Sequence, residues 1–341
     1  MIRMKFKNKI FLFVAFASMN SGFIHAQKQK DRVKEMMENL SKDELIKHLS
    51  IIAGDEMEGR KTGEAGQKKA ANYLKNIYKN IGIEALPGTD DYFQAVPSEA
   101  MKRMFSPKLN DSENVVAYIK GSEKPDEYLV ISAHYDHVGM TNGEIYNGAD
   151  DNGTGTTALL EMARMFKIAE KNGNGPKRSI VFLHCTGEEY GLHGSRFFVN
   201  SKIIPLENIV ADLNVDMIGR RDLTYDKNKK DYIYLVGSDK LSTELHDVSE
   251  AMNKKYTNLV LDYTFNDDKH PEMIYYRSDH YNFAKFNIPV IFYYSGEHAD
   301  YHKPTDTVDK INFDDMLKRT QLIFVTAWEI ANRANRIKLK Q

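Results

Sequence analysis

Apolar positions along the chain follow two rhythms, and the switches between them predict its elements. Four short runs, "EYLVISAH" (127–134), "RSIVFLHC" (178–185), "NIVADLNVD" (208–216) and "PVIFYYSG" (289–296), are apolar almost throughout, as strands buried on both faces are. Between the first two, residues 155–171 carry a helical period with Leu159, Met162, Ala163 and Phe166 on one face, and Gly173 is the stop. Upstream, Ser41 and Glu44 stand at capping-box spacing at the head of "SKDELIKHLSII". A further helix is predicted over 64–81, with Ala70, Ala71, Leu74 and Tyr78 inward and Gly82 ending it. Residues 92–121 turn β-like, most clearly in "NVVAYIKG". Helical segments follow the second run from Ser195, precede the fourth over 278–286, and close the chain from Phe313 as an amphipathic helix. Strands alternating with helices predict an α/β fold: a three-layer sandwich around a mixed, largely parallel central sheet.

The first 26 residues break this pattern. Arg3, Lys5, Lys7 and Lys9 precede an apolar run over 10–17, and small and polar residues lead to Ala26. This is the layout of a secretory signal peptide cleaved after Ala26. The apolar run is far shorter than the roughly 20 residues of a spanning helix. The expectation is therefore an exported protein, periplasmic or secreted, with no membrane anchor after cleavage. No linker, low-complexity tract or repeat divides the remainder, so residues 27–341 are expected to form a single catalytic domain with an N-terminal helical extension.

Charge and cysteine content narrow the partners. The 47 basic and 48 acidic residues become 43 and 48 without the N-terminal segment, a mild, mixed balance that gives no footprint for nucleic acid. Cys185 is the only cysteine, so no intramolecular disulfide can form, and on a predicted buried strand it reads as a small hydrophobe.

Candidate chemistry gathers just past the strand ends, where ligands bind in open α/β sheets. His134 and Asp136 follow the first run, Glu188 and Glu189 the second, Asp216 the third and His302 the fourth. The turn "YNGADDNGTG" adds Asp150 and Asp151 at the head of the 155–171 helix. Asp, Asn and Gly are ordinary turn residues, but repeated placement of metal-binding groups at strand ends favours a cation at Asp151. His, Asp and Glu without thiolate suit zinc, with manganese or cobalt as substitutes. Five candidate ligands exceed the needs of one zinc and suggest two ions sharing a carboxylate, for which Asp151 is the natural bridge. Asp136, two residues beyond His134, is placed to orient its imidazole. Of Glu188 and Glu189, one binds metal and its neighbour is free to take a proton from the attacking water.

In this order, "HYDHVG", "NGADDNGTG", "TGEEYGLHGS", "NVDMIGR" and "YHKPTDT" resemble the co-catalytic zinc exopeptidases of the aminopeptidase S and bacterial leucyl aminopeptidase type. The resemblance runs from about residue 40 to the C-terminus. It implies the phosphorylase/hydrolase-like α/β fold, and two zinc ions per chain: His134 and Asp216 on one, Glu189 and His302 on the other, Asp151 bridging. It further implies Glu188 as general base and then acid, Asp136 supporting His134, and a cis peptide at Asp151–Asn152. The expected function is hydrolysis of N-terminal residues from peptides with a free N-terminus. Glutaminyl cyclases and metallo-carboxypeptidases of the same fold are the alternatives.

For the substrate, Met217 and Tyr301 adjoin ligands and are expected to line an apolar pocket. Arg277, Ser278 and Asp279 are the other candidates, with Asp279 suited to an α-ammonium and Arg277 to a carboxylate. A helix N-cap and a solvated arginine explain the same residues equally well. His137, His184, His193, His280 and His298 are set aside as packed or surface residues, because the ligand set is complete without them. The segment 257–276 has no readable pattern; a lid and an exposed insertion both fit it.

Overall fold

The strands form where the apolar runs predict them, because each is walled by helices on both sides. The computed structural model describes residues 32–103, 108–225 and 231–340, so the predicted signal peptide lies outside the described residues. Residues 32–38 form a short helix carrying the Lys34–Glu38 pair, in a unit that ends at Asn39. The main unit begins at Leu40. No helix among the described residues is long and apolar enough to cross a membrane.

Among the described residues of the main unit, nine strands make one sheet in the order β1-β3-β7-β4-β8-β11-β9-β10, with β2 also paired to β3, while β5 (Gly139–Thr141) and β6 (Glu144–Tyr146) pair separately. The centre consists of β7 (Arg178–Cys185), β4 (Lys124–His134), β8 (Ile209–Val215) and β11 (Val290–Tyr294). These four run parallel, in registers such as Ile131 opposite Phe182 and Leu213, and Leu213 opposite Ile291. Antiparallel pairings flank them. On one side are β3 (Ser112–Ile119), β2 (Phe93–Val96) and β1 (Glu84–Ala85); on the other, β9 (Tyr232–Val236) runs antiparallel to β11 and parallel to β10 (Val260–Asp262). The β9 strand, a fully buried apolar run of five residues, is not among those predicted from the sequence.

Alternation along β7 shows how the layers are filled. Val181, Leu183 and Cys185 face a core built with Phe198 and Val199 of α4 (His193–Ser201) and Phe283 of α6 (His280–Ala284). Phe182 points the other way, to Tyr78 of α2 (Ala65–Ile81) and Phe166 of α3 (Gly155–Lys171). Phe166 in turn meets Phe324 and Trp328 of α7 (Phe313–Asn332). The first helix, α1 (Lys42–Ile52), has half of the predicted capping box: Ser41 Oγ accepts from Glu44 N at 3.2 Å. The other half is absent because Ser41 N donates to Glu161, while Glu44 turns to Lys47 and His48. The α5 helix (Thr243–Met252) packs beside α7. Since the central strands are parallel, their carboxyl ends share one edge, and four loops meet there.

Candidate metal centre

Each loop at that edge is fixed by its own hydrogen bonds before it presents a ligand. At the end of β4, His134 O accepts from Thr156, and the buried Nε2 lies 3.3 Å from both Asp151 Oδ1 and Asp216 Oδ1. After β8, Asp216 Oδ2 accepts from Ser278 Oγ at 2.7 Å, and that hydroxyl accepts from Asn214. From the loop after β11, His302 Nε2 stands 3.0 Å from Asp151 Oδ2 and 2.9 Å from Glu189 Oε2, with Tyr301 stacked on its ring. Asp151 therefore faces both groups, one oxygen to each.

The twin aspartates have separate jobs. Asp150 points into the scaffold, where Oδ1 accepts from Gly219 N and Thr154 and Oδ2 faces His298 at 3.4 Å. The turn that carries Asp151 is pinned from both sides. The Asp306 carboxylate accepts from the amides of Asp150 and Asp151, and Asn152 bonds Val215 O, Gly155 N and Met217 N. The Asp151–Asn152 peptide is cis, as the resemblance implies.

Four expectations need correcting. Asp136 does not reach the His134 ring through its carboxylate, which is 3.8 Å away; His134 Nδ1 lies nearer the Asp136 carbonyl, at 3.2 Å. Its carboxylate instead accepts from Thr62 and from Glu188 N, positioning the glutamate pair. Ser278 and Asp279 are buried and absent from the cleft lining. Ser278 serves Asp216 rather than a substrate or a helix cap, and Asp279, fully enclosed, is not placed to meet an α-ammonium. His137 is no bystander: it is fully buried, with Nδ1 2.7 Å from Glu189 Oε1 and 3.6 Å from Asp151 Oδ2. The other four histidines do stand apart. His184 bonds the Tyr78 hydroxyl, His193 meets Arg196, His280 stacks on Phe292, and His298 faces Asp150.

Arg60 was not foreseen at all. Fully buried, it donates to the carbonyls of Tyr135, Ile52, Asn147 and Gly148 at 2.6–2.8 Å, tying β4 to the Asp151 turn. Burial lowers its pKa to about 10, opposed by Asp151 and the neighbouring carboxylates. At neutral pH it therefore keeps a positive charge beneath the acidic cluster. Nothing in "EMEGRKTG" marks it, because its partners are main-chain atoms distant in sequence.

The electrostatics suit a cation. Two groups of side chains, His134–Asp151–Asp216 and His137–Asp151–Glu189, could each hold a metal ion. Asp151 Oδ2, Glu189 Oε1 and His137 Nδ1 are all buried without a directed hydrogen bond, and unsatisfied buried carboxylates are costly unless something neutralises them. Burial opposes charge on His302, but Asp151 and Glu189 lift it to about 10. Burial likewise opposes ionised Asp151, yet the contacts with His134, His137 and His302 hold it well below the carboxylate range. Glu188 goes the other way: burial pushes it well above that range, only partly offset by His134. A carboxyl kept high beside charged neighbours is what proton transfer needs.

Above the cluster opens a cleft. His134, Asp151, Glu188 and Asp216 line its floor; Met217, Ile274, Phe292, Tyr294 and Tyr301 form an apolar wall. Arg277 and Glu297 stand at the rim as an ion pair of 2.9 Å. Met217 and Tyr301 thus lie where the sequence placed them, and Glu297 was missed. The unreadable segment contributes β10 and Ile274 and packs Phe265 on Tyr234 and Tyr294. It is part of the pocket wall.

Known proteins resemble this chain in sequence and in fold. The chain is 26% identical over 324 residues to leucine aminopeptidase 1 of Ajellomyces dermatitidis, covering 93% of this chain and 78% of that protein. In fold it matches the Legionella pneumophila LapA aminopeptidase with a TM-score of 0.69 at 22% identity, over 89% of this chain and 73% of that one. It also matches the zinc aminopeptidase BSAP of Bacillus subtilis with a TM-score of 0.64 at 17% identity, over 87% and 97%. The profile described as Peptidase family M28 matches residues 114–327, and with that span matched the chain belongs to peptidase family M28.

Proposed function

We propose that this chain is a zinc-dependent exopeptidase acting as an aminopeptidase on peptides with a free N-terminus. The observation that carries the reading is the pair of carboxylate–imidazole groups meeting at Asp151, one of which, His134–Asp151–Asp216, lines an open cleft together with Glu188. In this reading His134 and Asp216 hold one zinc, Glu189 and His302 a second, and Asp151 lies between them. Bound zinc supplies Lewis acidity, making water more acidic and a carbonyl more electrophilic. Glu188 accepts the proton of the attacking water and returns it to the amine of the departing peptide. Asp136 holds Glu188 in place through its amide, and Ser278 orients Asp216.

The apolar wall supports a preference for apolar N-terminal side chains. Arg277 would favour a carboxypeptidase, but its charge is already matched by Glu297. Export follows in this reading from the N-terminal 26 residues, and N-terminal sequencing of the mature protein checks it.

The test is mass spectrometry of a defined pool of free, N-acetylated and N-terminal-glutamine peptides incubated with zinc-loaded protein. Stepwise shortening confined to free N-termini is the expected outcome. Shortening from the C-terminus, or loss of ammonia from glutamine peptides alone, overturns the reading in favour of a carboxypeptidase or a cyclase.

A further inference from the structure

The two halves of the centre differ in how many side chains they offer. His134 and Asp216 are joined by Asp151 alone, and Glu188 beside them is kept for the proton. On the other side Glu189, His302 and Asp151 are joined by His137. Its backbone is tied by His137 N donating to Arg60 O at 3.1 Å, and its ring packs close against Gly148. A Cβ at position 148 would come within 2.5 Å of ring atoms Cγ and Cδ2, and Gly148 has φ 55°. A glycine there is what lets the ring lie so close to the turn.

The contact between His137 and Glu189 is close but is not a directed hydrogen bond. Nδ1 is 2.7 Å from Oε1, yet both atoms, with Asp151 Oδ2, count among the buried polar atoms without a partner. Hydrogen-bonded neighbours would satisfy one another. Donor atoms that crowd together and stay unsatisfied are instead arranged around a common point. The separations of 2.7 and 3.6 Å at His137 and of 3.0 and 2.9 Å at His302 bring these side chains to one place. A tetrahedral shell with ligands about 2.0–2.2 Å from zinc has edges of about 3.3–3.6 Å, so the closer pairs part by a few tenths of an ångström to admit the ion.

We infer that His137 is a fourth protein ligand of the Glu189–His302 half, so that the protein fills this half while the His134–Asp216 half keeps a position open to the cleft. The inference rests on the two-metal reading above. Four protein ligands mark a zinc held for structure, and three with an open position mark one that does chemistry. The filled half therefore loads first and holds its ion more tightly.

The test needs no turnover. Metal-stripped protein is reloaded with one equivalent of zinc and then a second, with zinc X-ray absorption counting imidazoles and elemental analysis counting metal. Two imidazoles on the first equivalent are expected. In His137→Ala that count falls to one, and the tighter dissociation constant rises about 10–100-fold, while the weaker constant holds. Circular dichroism of His137→Ala and His137→Asn checks folding, and the wild-type spectrum stands without either variant. One imidazole on the first equivalent in wild type, or an unchanged tight constant in His137→Ala, overturns the inference and leaves the two-metal reading intact. A wild-type protein that takes up fewer than two equivalents overturns both.

Discussion

The cleft has two walls of opposite character. The floor is polar, enclosed and tied down atom by atom: Ser278 and Asn214 fix Asp216, Asp306 fixes the turn of Asp151, and Thr62 and Asp136 fix Glu188. The facing wall of Met217, Ile274, Phe292, Tyr294 and Tyr301 is held by ring packing, as in the contact of Tyr294 with Phe292 and Phe265. At its rim Arg277 is exposed and Glu297 half-buried. Losing one atom from the floor leaves another buried polar group unpaired, which is costly. Losing one from the wall changes a shape. The floor therefore sets which bond is broken, and the wall sets whose bond it is.

The sharpest way to break this division is at Glu188. Glu188→Gln should lower kcat by about 10²–10⁴-fold with zinc content unchanged, and unaltered turnover would remove Glu188 from the proton pathway. Next come two buried histidines away from the centre: His184 on β7, bonded to the Tyr78 hydroxyl, and His280, stacked on Phe292 of the wall. Burial lowers both to about 3 in the folded protein, against about 6.5 unfolded. At these two sites the unfolded chain binds more protons below about pH 6.5, so their contribution to stability is full above that pH and is lost as pH falls towards about 3. The raised carboxyls of Glu188, Asp136 and Asp279 act on the overall profile with the opposite sign. The check is therefore histidine NMR, in which both imidazoles should stay neutral from about pH 7.5 to 4. A ring that titrates at about 6.5 would mean that it is not sealed from water in the fold.

Ser278→Ala should weaken zinc at the His134–Asp216 half by about 10–100-fold. Ratios of kcat/KM among peptides should stay unchanged, since the serine does not touch the cleft. Ile274→Ala should do the reverse, shifting those ratios by about 10-fold while zinc affinity holds. Should Ser278→Ala change the ratios, or Ile274→Ala release zinc, the two walls are not separable.

How much of this was legible in the sequence follows the same division. Metal-binding side chains are confined to a few residue types, so His134, Glu189, Asp216 and His302 stood out as candidates past runs whose apolar pattern already marked strands, and Asp151 in the turn ahead of a helix. The pocket wall admits many apolar residues. Met217 and Tyr301 were found by adjacency to ligands, while Ile274, Phe292 and Tyr294 carried no signal. Supporting groups were hardest: Arg60, Asp306 and Ser278 bond atoms 62–156 positions away or main-chain carbonyls, and no local spacing records such partners. His137 was visible as a residue but discounted, because the count of ligands was complete without it.

Asp306 and His302 sit on one loop near the end of the chain, yet they secure a turn and a carboxylate from its middle. During synthesis, every strand of the central sheet emerges before that loop does. A nascent chain can therefore have every strand in hand while Asp151 still lacks the Asp306 anchor of its turn and the neighbouring imidazole of His302. The site is completed by one of the last parts of the chain to be made, and a chain interrupted before His302 keeps the strands without the assembled cluster.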